Sequence, residues 1–125
     1  MAKPEHSLIH ETRKLIDATD ELRAALLAYR KVCDVLVRTG TPGQPSSDTI
    51  AAMERLKVRE HREAVSEAMA DFETARQRVR IELVTAAQDE GRNLSDVART
   101  LGVSRQLTSR LASKAKGKGK PAREG

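Results

Sequence analysis

The chain has 125 residues, of which 38% are hydrophobic and only 2% aromatic, with no Trp and a single Cys. Such a composition builds helices rather than a sheet or an aromatic core, and the lone Cys33 excludes an internal disulfide. The net charge of +5 is unevenly spread: residues 1–90 carry 14 Lys+Arg against 16 Asp+Glu, whereas residues 91–125 carry 9 against 2.

A first helix is expected from just after Pro4 to about Arg38. Leu8, Leu15, Leu22, Tyr29 and Leu36 recur every seven residues, the step of a coiled-coil seam. A second row is read four positions on, through Thr12, Thr19, Leu26 and Cys33. The stretch TGTPGQPSSD then stops the helix, because Gly and Pro cannot continue it. The turn is placed at 39–47.

A second helix is expected from Ser47 or Asp48, one of them the N-cap, without interruption to about Glu90. Its apolar face runs through Ile50, Met53, Val58, Val65, Met69, Phe72, Val79 and Leu83. Gly91 supplies the stop. Four members again step by seven: Val58, Val65, Phe72 and Val79. Folding the chain back at Gly43/Gln44 sets Leu8 against Val79, Leu15 against Phe72, Leu22 against Val65 and Tyr29 against Val58. The expectation for 1–80 is therefore a long antiparallel coiled-coil hairpin. Two helices each offering one stripe bury little area, so a second copy is expected to complete it as a homodimer or higher homo-oligomer. The residues assigned to that association are Leu8, Leu15, Leu22, Leu26, Tyr29, Val58, Val65, Met69, Phe72 and Val79.

Residues 81–113 read as a separate head. Ser95 is read as the cap of a helix to Leu101, with Val97, Ala98 and Leu101 inward. Gly102 makes a sharp turn, Val103 points in, and Ser104 caps a further helix from Arg105 to about Ser113. The end of the long helix, through Ile81, Val84 and Ala86 or Ala87, supplies a third packing partner for Val97, Leu101 and Leu111. After Ser113 the sequence KAKGKGKPAREG reads as a flexible basic tail over 114–125.

Leu94 to Leu111 resembles the helix-turn-helix of lac-repressor-type regulators and of resolvase/invertase DNA-binding domains. The shared pattern is Ser95, Val97-Ala98, Leu101-Gly102-Val103-Ser104-Arg105 and Ser109-Arg110-Leu111. Thr108 stands where the family has Val or Ile and adds a hydroxyl. The resemblance spans about 18 residues. It implies an all-α fold and binding of double-stranded DNA, with Arg105, Gln106 and Arg110 at base edges in the major groove. Ser104, Thr108 and Ser109 suit phosphate, and Ser95 completes the DNA-facing set on the head. Lys114, Lys116, Lys118 and Lys120 extend that set as an arm on phosphate, and GKGKPAR has a weaker likeness to a minor-groove hook.

The expected function is sequence-specific transcriptional regulation by a dimer in the bacterial cytoplasm, associated with the nucleoid. The alternatives are an architectural or partition protein that bridges DNA, and a coiled-coil adaptor that touches RNA polymerase. No apolar run is long enough to span a bilayer, and MAKPEHSLIHETRK has no signal core, so neither membrane nor export is expected. His6 and His10 are four apart but lack a third ligand and read as surface residues. No cofactor and no catalysis are expected, since no Gly-rich phosphate loop or paired carboxylates stand out.

Overall fold

A computed structural model describes residues 4–39 and 47–119, and every regular element among them is a helix. They are α1 (Pro4–Thr39), α2 (Ser47–Arg55), α3 (Val58–Asp89), α4 (Leu94–Leu101) and α5 (Arg105–Gly119). The segment assigned to the turn lies almost wholly outside the described residues. By contacts the chain divides into two compact units: Ile16–Glu73, and the segment up to Leu15 together with the chain from Thr74 onward.

α1 begins at Pro4, a residue suited to a helix start because its missing N–H would be unpaired there in any case. At its other end Arg38 pairs with Asp34 one turn back, placing a cation at the negative pole of the helix. The seven-residue row Leu8, Leu15, Leu22, Tyr29 and Leu36 is half-buried throughout. The second covered row lies three positions on rather than four: Ala18 and Val32 are buried and Ala25 is half-buried. Leu26, expected inward, is 47% exposed, Thr19 is exposed and only Cys33 of that row is half-covered beside Thr12, whose hydroxyl donates to the Leu8 carbonyl at 2.7 Å. Bulk misleads here. A row of alanines lets a covering surface approach closely, so the small residues turn inward and Leu26 rolls to the side.

α3 follows the same rule. Val58 is buried, Val65, Phe72 and Val79 are half-buried, and the companion row three positions on holds His61, Ala68, Ala75 and Glu82. Met69, also expected inward, is 54% exposed. On the surface, Arg59 and Glu63 pair across one turn at 3.1 Å.

The long second helix is interrupted. α2 ends at Arg55, the Lys57 N–H donates to the Glu54 carbonyl at 3.1 Å, and Lys57 adopts a left-handed φ of 57° before α3 starts. A side chain in that conformation costs about 1–2 kcal/mol, and no Gly or Pro marks the spot. The break leaves Ile50 and Met53 exposed on α2, against the expectation that they extend a buried face. No described helix is long and apolar enough to cross a membrane.

Candidate nucleic-acid interface

Two glycines frame α4. At the end of α3 the Gly91 N–H reaches the Gln88 carbonyl and the Arg92 N–H reaches that of Ala87, both at 2.9 Å, with Gly91 at φ 85°. At the end of α4 the Gly102 N–H reaches the Arg99 carbonyl and the Val103 N–H reaches that of Ala98, with Gly102 at φ 72°. Both are Schellman ends, whose left-handed residue a Cβ disfavours. Two such stops eleven residues apart leave space for one short helix.

The start of α4 corrects one expectation. Its N-cap is Asn93, whose side-chain oxygen accepts the Asp96 N–H at 2.8 Å. Ser95 is an exposed residue of the first turn, with no capping role. Ser104 does cap α5: its Oγ accepts the Leu107 N–H at 3.0 Å.

The three helical segments meet over a small apolar core. Val84 of α3, Val97 of α4, and Leu111 and Ala112 of α5 are buried together. Ile81, Ala87, Leu94, Leu101 and Leu107 pack around them. Ala98 is buried four residues before Gly102, where α4 turns into the loop.

Thr108 also belongs inside. It is 0% exposed, and its Oγ donates to the Ser104 carbonyl at 3.0 Å. A hydroxyl so placed does not reach a phosphate, which corrects its assignment to DNA contact. The branched shape fills the core as Val or Ile would, and the extra oxygen is satisfied internally.

With Leu107, Thr108, Leu111 and Ala112 turned inward, α5 presents Arg105, Gln106, Ser109, Arg110, Ser113 and Lys114, all exposed. The first turn of α5 holds no acidic residue, so the positive pole of the helix adds to Arg105. The surface thus offers guanidinium, amide, hydroxyl and ammonium donors without a carboxylate among them. Ser113 was not singled out from the sequence, although it lies one turn after Ser109 on the same face. Arg99, on α4, is tied to Asp96 at 2.6 Å.

The basic segment differs from a flexible arm. α5 continues through Lys116, Gly117 and Lys118 to Gly119, and Lys120 lies outside the described residues. Alternating Lys and Ala favour a helix, and extending one already nucleated costs little even with a Gly in it.

His10 is exposed, and among the described residues no group of three His, Cys, Asp or Glu is placed to hold a metal. No family model, curated protein or solved structure matches the chain.

Proposed function

We propose that the chain binds double-stranded DNA through α4, Gly102 and α5 acting as a helix-turn-helix, and that it serves as a dimeric bacterial transcriptional regulator. The observation that carries this reading is the face of α5. Arg105, Gln106 and Arg110 stand exposed on a helix whose opposite side is anchored by Thr108, Leu111 and Ala112. A helix fixed on one side and furnished with such donors on the other suits the major groove, where Arg bridges guanine O6 and N7 and Gln bridges adenine N6 and N7. Ser104, Ser109, Ser113 and Lys114 serve phosphate and set the register.

The shaft in this proposal is an antiparallel hairpin of α1 against α3. Its support is the matched seven-residue rows and their covered alanine companions on both helices. The protein works without cofactor or catalysis, in the cytoplasm at the nucleoid.

An architectural role is the second reading. It is favoured by the lysines that follow the buried Ala112 along the sequence of α5, because added charge gives affinity that is blind to sequence. Selection of bound sites from random duplexes tests both. A regulator enriches a pair of related half-sites. Salt-sensitive binding without an enriched motif favours the architectural role. No duplex binding at low salt overturns both and leaves an adaptor that contacts RNA polymerase.

A further inference from the structure

We propose that α2 is a latch at the turn end of the shaft, jointed at Lys57, that swings from its position in the structure to one in which Ile50 and Met53 continue the seam against Leu36. The proposal rests on the hairpin of the proposed function and adds a moving part to it.

The seam is one partner short. α1 carries five members, Leu8, Leu15, Leu22, Tyr29 and Leu36, and α3 carries four, Val58, Val65, Phe72 and Val79. Four pairs leave Leu36 over. Seven residues before Val58 and His61 stand Ala51 and Glu54, a methyl group and a carboxylate, both exposed. Eight residues before them stand Ile50 and Met53. The apolar pattern therefore resumes on α2 after one inserted residue. An insertion in a seven-residue repeat forces the helix to unwind or break locally if the seam is to stay in phase.

The break lies where this count puts it. Lys57 has the left-handed φ of 57°. The Leu56 N–H reaches the Ala52 carbonyl at 2.9 Å and the His61 N–H reaches that of Lys57 at 3.1 Å, so each helix keeps its own ladder up to the joint. Strained backbone of this kind collects at switch regions.

In the structure α2 turns a different face inward. Ala52 and Leu56 are half-buried, while Ile50 is 59% and Met53 37% exposed. The larger pair is the open one. Both of its members already stand beside the seam: with Val58, the buried seam residue next to the joint, they line one groove of about 820 Å³. Turning α2 about Lys57 carries Ile50 and Met53 onto Leu36 and takes their apolar surface out of water. Two faces of one short helix thus compete for the same place, which makes α2 a two-position element.

The test is disulfide formation in the full chain carrying Cys33→Ser, with Leu36→Cys combined in turn with Ile50→Cys, Met53→Cys, Ala51→Cys and Glu54→Cys. All four α2 positions are exposed, so these substitutions spare the fold. Thiols bridge only when their Cα atoms come within about 7 Å, and the pairs with Ile50→Cys and Met53→Cys should bridge about ten times faster than the other two. Faster bridging through Ala51→Cys or Glu54→Cys would mean a helix that runs straight on without the inserted residue, and overturns the proposal. Equal rates in all four, no bridging in any, or bridges that join two chains overturn it as well. Tyr29→Cys with Val58→Cys is the control for the hairpin. If that pair bridges and those with Ile50→Cys and Met53→Cys do not, the latch alone falls. If the control does not bridge, the hairpin falls and the latch with it.

Discussion

Ser104 and Thr108 are joined twice: the Ser104 carbonyl accepts both the backbone N–H and the hydroxyl of Thr108, each at 3.0 Å. The residue that caps α5 thus also satisfies the hydroxyl of Thr108, a fully buried polar side chain of the head. Thr108→Val keeps the shape and removes a hydroxyl that is paired internally. Its stability should stay within about 1 kcal/mol of wild type and its duplex affinity should be unchanged. Leu111→Ala, in the same core, should cost about 2–5 kcal/mol. Urea denaturation and duplex titration of the two variants check this; lost affinity in a stable Thr108→Val would return Thr108 to the interface.

Arg105 and Arg110 are exposed, so their removal should spare the fold and act on recognition. Arg105→Ala and Arg110→Ala should each weaken binding to a selected site by about 1–3 kcal/mol and relax preference at one base pair. Competition against single-base-pair variants of the site reads both effects. Unchanged affinity in both variants would remove α5 from the groove.

On the proposed function, the lysines that follow act by charge alone. Lys114→Ala, Lys116→Ala and Lys118→Ala together should flatten the plot of log affinity against log salt by about two units, at a slope near 0.9 per phosphate contact. Base preference should survive, because phosphate contacts position without reading. A salt series on the triple variant measures this, and an intact slope would mean these lysines do not meet DNA.

Gly102 has a left-handed φ of 72° and open space where a Cβ would stand. Gly102→Ala should therefore cost only the backbone term, about 1–2 kcal/mol, with the head still formed. Thermal unfolding of the variant decides it. A loss above about 4 kcal/mol would point to a clash that the open space rules out.

The head was more legible in the sequence than the shaft. Gly91, Gly102 and Ser104 act through their own backbone chemistry, so their residue types announce their roles. The start of α4 is ambiguous in the sequence because Asn93 and Ser95 are both good caps, and the choice depends on Leu94 joining the core. In the shaft, a seven-residue repeat is compatible with a companion row three or four positions away. Packing rather than bulk decides between them, and it favours Ala18 over Leu26. The extension of α5 was obscured by its glycines, whose individual cost of about 1 kcal/mol a run of lysine and alanine offsets only in part, the rest coming from a helix already begun.

No turn residue marks the break at Lys57 in the sequence. Lys57→Gly should relieve the left-handed backbone and stabilise the chain by up to about 1 kcal/mol, after the entropy that glycine adds to the unfolded state. Chemical denaturation checks the sign. Destabilisation by about 1 kcal/mol is instead what a glycine inside one continuous helix would produce.

The core of the head is a handful of aliphatic side chains around Val84 and Leu111, with no aromatic ring among them. Such a core leaves little margin against unfolding. On the proposed function the duplex becomes a folding ligand as well as a target: at a hundred times the dissociation constant it adds about 2.7 kcal/mol to the folded state. Substitutions that loosen the core would then be masked at a cognate site and revealed on unrelated DNA. The ratio of the two affinities would stay the same, since both fall with the folded fraction, and the loss would show first on the duplex that is not saturated.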